Sequence, residues 1–146
     1  MAENNITLIS IREAAIPTDY QKIYDLWNNA GPGIHLRQSD TLEEIQKKFA
    51  RDPDLFLVAE IDGSIIGAVL GGFDGRRGIV YHLAVEEKYR NSGIGEDLMQ
   101  ELEKRLRAKG CIRSYLLIVP ENADALKFYR NRGWSNLNLL VMGKDL

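Results

Sequence analysis

Apolar positions along the chain recur at two spacings, one helical and one strand-like, and their order predicts the order of elements. Ile6 to Glu13, with Ile6 and Leu8 on one side, reads as a first strand. Tyr20, Ile23, Tyr24 and Trp27 fall at i, i+3, i+4 and i+7, which predicts a helix with one buried face. Thr18 and Gln21 stand as a capping box at its start, and Gly31-Pro32-Gly33 ends it. The stretch Ile34 to Ser39, containing His35 and Arg37, follows neither period; loops of this kind carry binding specificity more often than cores do. A second helix begins near Asp40 or Thr41, where Thr41 and Glu44 form another capping box, buries Leu42, Ile45 and Phe49, and closes at Pro53.

The middle of the chain turns to strands. Leu55 to Ile61 and Ser64 to Leu70 are joined by Asp62-Gly63, the signature of a type I′ hairpin. Gly71 to Gly78 makes a second turn, leading antiparallel into Ile79 to Val85 and so predicting a meander. Its Arg76 and Arg77 read as a solvated hairpin tip or as cations for an acidic ligand. A helix follows, with Ile94, Leu98, Met99, Leu102 and Leu106 as its core stripe and Lys109-Gly110 as its stop. The apolar run Ser114 to Val119 must then lie parallel to strand 4, because a crossover helix separates them. Pro120-Glu121-Asn122 opens a fourth helix with Ala125, Leu126, Phe128 and Tyr129 inside, and Trp134 to Leu146 predicts one last strand. No repeat, linker or low-complexity tract interrupts this order, so residues 1–146 are expected to form a single domain.

Composition narrows the partners. A net charge of −2 and a pI near 5.7 provide no basic field for nucleic acid or an anionic membrane. The N-terminus lacks a basic, apolar leader, and no apolar run approaches the roughly 20 residues that span a bilayer, so a cytoplasmic protein is expected. Cys111 is alone, which excludes an internal disulfide and a cysteine cluster for zinc, and it reads as a small filler. His35 and His82 form no metal-ligand spacing, so no metal is expected.

The chemistry concentrates between strand 4 and the third helix. Arg90, Asn91, Ser92, Gly93, Ile94 and Gly95 link a strand to a helix start, where free N–H groups and the helix dipole favour an anion. Gly93-Ile94-Gly95 lacks the third glycine of a dinucleotide fingerprint, and Gly-Lys-Ser/Thr of a P-loop occurs nowhere. A tight loop alone would also use these glycines. What the chain does contain, Arg90-x-x-Gly93-x-Gly95 five residues after Val85, resembles the R/Q-x-x-G-x-G/A signature of the GNAT superfamily of N-acetyltransferases. Asn122-x-x-Ala125-x-x-x-Tyr129-x-x-x-Gly133-Trp134 is similar to the second motif of that family, in the right order, and the resemblance spans Leu55 to Leu146. The segments LFLVAE, GGFDGRRG and V-P-E-N look most like its small bacterial YpeA-type branch.

The resemblance implies an α+β (mixed α/β) GNAT-like fold: a mostly antiparallel twisted sheet with one parallel pair, strands 4 and 5, splayed around the cofactor, and about four flanking helices. It implies acetyl-CoA as cosubstrate, with its diphosphate at residues 90–95 and its pantetheine on the main chain of Leu83, Ala84 and Val85. Asn122 matches a side chain that contacts pantetheine or ribose, and would serve equally as a helix N-cap. Tyr129 matches the phenol that meets the departing thiolate, though it also suits a core aromatic. The strand 5 position that often carries a glutamate base is here Leu117. His82 and Tyr81 on strand 4 are therefore the base or relay candidates, with Asp74 and Glu60 behind them. The expected reaction is direct attack by a primary amine of a small molecule, amino acid or peptide N-terminus in a ternary complex, rather than acyl transfer through Cys111, which lies outside both motifs. A non-catalytic acyl-CoA-binding regulatory module, or a nucleotide-binding domain of another kind, would share much of this pattern. An apolar final strand leaves a homodimer open.

Overall fold

A computed structural model describes residues 8–31 and 33–146. Five strands form one sheet in the order β1-β2-β3-β4-β5. They are β1 (Ile9–Glu13), β2 (Phe56–Ile61), β3 (Ser64–Phe73), β4 (Gly78–Val85) and β5 (Ser114–Leu116). The first three pairings are antiparallel and β4 pairs with β5 in parallel, as the meander and the crossover helix require. Helices α1 (Tyr20–Asn28) and α2 (Leu42–Arg51) cover one face. Helix α3 (Ile94–Ala108) covers the other, and α4 (Ala123–Arg130) packs beside it.

The sheet is apolar on both faces because helices lie on both. Along β2 the side chains alternate: Phe56 and Val58 pack with Ile23, Trp27 and Ile45, while Leu57, Ala59 and Ile61 pack with Leu98 and Leu102 of α3. Removing a residue such as Leu57 or Trp27 from water contributes about 1.5–3 kcal/mol each, and both are fully buried. Gly71 permits α3 to sit close, since a Cβ there would lie 2.6 Å from Leu102 Cδ1. Asp62 and Gly63 both have positive φ, the geometry of the type I′ turn read from the sequence.

Two irregularities shape β4. Val69 pairs with Leu83 and Gly71 with Val80, so Leu70 faces both Tyr81 and His82 in a β-bulge. The bulge sends both of those side chains toward the α1 and α2 face, where His82 meets Trp27 edge-on and the Tyr81 ring lies over Gly72. Beyond the bulge, β4 and β5 separate, since only Gly78, Ile79 and Val80 pair with Ser114, Tyr115 and Leu116.

Several expectations are corrected. The ladder of β5 stops at Leu116 rather than Val119, and Leu117 is exposed, because the partner strand has already diverged. The segment Trp134 to Leu146 forms no strand. Helix α1 is not capped by Thr18: Asp19 precedes it, and its carboxylate accepts from Arg12 Nη1 and the Ala15 N–H, each at 2.7 Å. Leu42 is exposed at the start of α2, where Thr41 does cap, accepting from Glu44 N–H. Ile6 and Thr7 of the expected first strand lie outside the described residues. Cys111 is buried beside Gly78 as a filler, its thiol directed at the Arg113 carbonyl at 3.3 Å.

Candidate active site

The divergence of β4 and β5 opens a cavity of about 140 Å³. One wall is Leu83, Ala84 and Val85 of β4, and the opposite wall is Leu117 and Ile118, the continuation of β5. Asn122, Ala125 and Tyr129 close one side from α4, Ala30, Gly33 and Ile34 another from the loop after α1, and Arg90 stands at the edge. Diverging strands leave main-chain N–H and C=O groups without a ladder partner, which suits a ligand able to hydrogen-bond as a strand would.

The link from β4 to α3 carries two left-handed residues, Asn91 with φ 61° and Gly93 with φ 88°. Gly93 is the N-cap of α3, and no side chain caps that end, so the first N–H groups of the helix face outward unpaired by side chains. Arg90 Nε donates to the Val85 carbonyl at 3.0 Å, folding the guanidinium back over the strand end. Ser92 Oγ donates to the Tyr89 carbonyl. Arg90, Asn91, Ser92 and Gly93 are exposed, whereas the Ile94 side chain is buried in the core, leaving that residue only its main chain to offer. A Cβ at Gly95 would lie 3.4 Å from Phe128, an ordinary contact distance, so the residue sits where the first turn of α3 meets α4.

Tyr129 is buried, with its ring edge-on to Phe128 and Trp134. Burial alone drives its phenol well above the ordinary tyrosine range, so it is a protonated donor at neutral pH. Asn122 is the N-cap of α4, its Oδ1 accepting from the Ala125 N–H at 3.1 Å. Its Nδ2 packs on Gly33 so closely that a Cβ there would lie 2.2 Å away.

The strand 4 candidates lie outside the cavity lining. Tyr81 is about half exposed, and its phenol is pushed up by burial and by the nearby Asp52 carboxylate. His82 forms a pair absent from the sequence reading: its Nε2 lies 2.8 Å from Oδ1 of the buried Asp40. Asp40 Oδ2 accepts from the Arg37 N–H at 3.0 Å, and its carbonyl accepts from the Tyr20 hydroxyl at 2.8 Å. Burial would raise the Asp40 carboxyl, but the bonds from His82 and Arg37 outweigh it and hold the group below the usual carboxylate range. A carboxylate only accepts, so the His82 hydrogen in this contact sits on Nε2, which in the neutral form of the ring leaves the lone pair on Nδ1. The sequence signal for Asp40 was its place before Thr41, where it looked like a helix cap. Glu60 is held by Arg12 at 3.2 Å, and Asp74 accepts from the N–H groups of Arg76 and Arg77 in its own turn, so neither reaches the cavity.

These features define a fold that holds a ligand in a split sheet beside an uncapped helix start. The chain matches the Acetyltransferase (GNAT) family over residues 20–134 and belongs to it. It is 35% identical over 128 residues to an acetyltransferase of Pectobacterium atrosepticum, covering 88% of this chain and 89% of that protein. An acetyltransferase of Photorhabdus laumondii is 42% identical over 110 residues, 73% of each chain. The fold is similar to that of the PaiA N-acetyltransferase from Thermoplasma acidophilum solved in complex with coenzyme A, at TM-score 0.71 and 23% identity, covering 86% of this chain and 88% of that one. The protein is thus an acetyl-CoA-dependent N-acetyltransferase of the GNAT family. Among the described residues no helix is long and apolar enough to cross a membrane.

Proposed function

We propose that the chain transfers acetyl from acetyl-CoA directly to a primary amine of a small molecule, amino acid or peptide N-terminus, in a ternary complex. The observation that carries this reading is the convergence of Leu83–Val85, Arg90, Asn122 and Tyr129 on one cavity between the separated strands. The diphosphate binds at Arg90 to Gly93 and at the free N–H groups of Ile94 and Gly95, and the pantetheine runs along β4. Asn122, its oxygen committed to capping, offers the arm its amide N–H₂.

The amine nitrogen attacks the thioester carbon while a β4 amide meets the developing oxyanion. The C–S bond then breaks, and the thiolate takes the Tyr129 proton. The surplus amine proton passes through water to Nδ1 of His82, which Asp40 orients, and Tyr81 borders the acceptor. Cys111 is buried against Gly78, away from the cavity lining, which disfavours a covalent acetyl-enzyme. A free cysteine fits a reducing cytoplasm. The working unit in this reading is a homodimer.

Turnover of acetyl-CoA over a panel of amines tests it. Tyr129→Phe is expected to lower kcat by roughly 10²-fold or more, with the KM for acetyl-CoA little changed. The second reading, a non-catalytic acyl-CoA-binding module, is favoured by one observation: among the described residues no Asp, Glu or His lines the cavity. A wild-type chain that binds CoA yet acetylates no amine would establish that module instead.

A further inference from the structure

The transfer chemistry leaves the arginines of the β3–β4 turn without a part, and one of them is not a solvated tip. Arg77 is half-buried, and its Nε donates to the Tyr115 hydroxyl at 3.1 Å. Arg113, just before β5, places its guanidinium 5.7 Å from the centre of the same ring. Arg12, Arg105 and Arg132 are each held by a carboxylate, whereas Arg77 is held by a neutral phenol. Among the described residues no ion pair engages Arg77 or Arg113. The carboxylates of this corner are committed elsewhere: Asp74 accepts from the main-chain N–H groups of Arg76 and Arg77 at 2.7 Å each, and Asp52 binds Lys48 at 2.6 Å. A phenol fixes the direction of a guanidinium without neutralising it. The terminal nitrogens of Arg77 are thus left as an oriented, charged fork of the kind that grips a carboxylate.

That fork lies on the side of the sheet where the transfer takes place. Leu116 and Ile118 pack against the α3 core, so by strand alternation Tyr115 and Leu117 point to the opposite face, the one to which the β4 bulge sends Tyr81 and His82. In the ladder Tyr115 stands beside Ile79, and Ile79 beside Gly72, whose missing Cβ leaves room for Lys48 Nζ and the Tyr81 ring. This row forms a shelf that leads to the cavity. Leu117, a wall of the cavity, is two residues further along the chain, about 7 Å at the rise of a strand, and it is 62% exposed. An amine that reaches the cavity past Leu117 therefore has the guanidinium of Arg77 about one strand repeat behind it.

We propose that Arg77, oriented by Tyr115 and flanked by Arg113, binds an anionic group of the acceptor, so that the preferred substrate is an amine bearing a carboxylate about 7 Å from its nitrogen. This inference rests on the amine-transfer reading and names the substrate class within it. The spacing is longer than that between the amine and carboxylate of an α-amino acid. It selects a side-chain or terminal carboxylate, on a free amino compound or next to a peptide N-terminus.

Rates of acetylation of δ-aminovalerate against its carboxamide, with glycine against glycinamide as the short pair, test it. The peptides Ala-Glu-Ala and Ala-Gln-Ala ask whether a peptide supplies the carboxylate. The acid is expected to exceed its amide in kcat/KM by roughly 10-fold or more, the scale of a hydrogen bond to a charged group, in the δ-aminovalerate pair, the peptide pair or both. The glycine pair should show little preference, and added salt should reduce the larger one. Arg77→Gln, with its fold checked by near-ultraviolet circular dichroism, is expected to remove most of the preference through the KM of the acidic acceptor, and Arg77→Lys to restore part of it. Equal rates on acid and amide in both longer pairs, or a preference that survives Arg77→Gln, overturn the proposal and leave the transferase standing. So does turnover on other amines with none on these acids. Turnover on no amine at all overturns the amine-transfer reading and this one with it.

Discussion

Asp40 shows how one buried carboxylate can decide the state of a neighbour. With both of its oxygens accepting, it allows His82 only the tautomer protonated at Nε2. Asp40→Asn can present its amide N–H₂ to that nitrogen, which favours the opposite tautomer and blocks Nδ1 as an acceptor. The expected outcome is a fall in kcat of roughly 10²-fold or more, the scale of a lost general base, with the KM for acetyl-CoA held within a few-fold. A purely structural role would instead lower the melting temperature and leave the pH profile of kcat unchanged. The same carboxylate contributes to stability against acid. Its folded-state pKa lies below the unfolded value, as does that of Asp19, which is held down chiefly by its bond from Arg12. Both contributions are present above the ordinary aspartate value of about 3.9 and are lost as pH falls below it toward the folded values. Acid unfolding followed by tryptophan fluorescence should therefore steepen below about pH 4, and less so in Asp19→Asn. An unaltered acid limb in that variant would count against the paired state of Asp19.

At the scale of elements, the turns decide what the site can hold. Gly93 has φ 88° with open space where a Cβ would go, so Gly93→Ala meets no clash and is strained only in its backbone. A left-handed conformation costs a non-glycine residue about 1–2 kcal/mol, and an altered turn would re-aim the first N–H groups of α3. Both a lower melting temperature and a raised KM for acetyl-CoA are expected; a raised KM with unchanged kcat would place the effect in binding. Gly33→Ala is the steric counterpart, pushing Asn122 off its cap at a cost of about 1 kcal/mol. Much of this was legible in the sequence, because β4, its glycine-bearing turn and α3 are specified by local signals: a β-branched run, positive-φ residues and a core stripe. The bulge at Tyr81 and His82 was not legible, since it depends on the register against Leu70. Nor was the His82–Asp40 pair, whose members lie 42 positions apart and meet only when the turn before α2 docks on the sheet. The continuous apolar run likewise extended β5 to Val119, because apolar residues that line a cavity look the same as residues that line a core. Trp134 to Leu146 misled for a related reason: its composition is that of a strand, but local pattern does not say whether a neighbouring strand is there to pair with it.

At the scale of the whole molecule, the split sheet makes stability depend on the cosubstrate. The β4 and β5 ladders share only Gly78–Val80 and Ser114–Leu116, so beyond them the two walls of the cavity are joined by packing at α4 and by the Asn122 contact with Gly33. A ligand that bonds to both walls binds the folded state and not the unfolded one, and so stabilises by mass action. Coenzyme A at a hundred times its dissociation constant should add about 2.7 kcal/mol, which for a domain of this size corresponds to roughly 5–11 °C in melting temperature. Arg90→Ala and Gly93→Ala, measured at the same ligand concentration, should lose most of that shift, since each weakens the diphosphate site. NAD and ATP carry a diphosphate and an adenosine but no pantetheine arm to lie along Leu83–Val85, so at matched concentration they should give a much smaller shift. An equal shift with either nucleotide would mean that the helix start alone governs binding and that the separated strands contribute nothing to it.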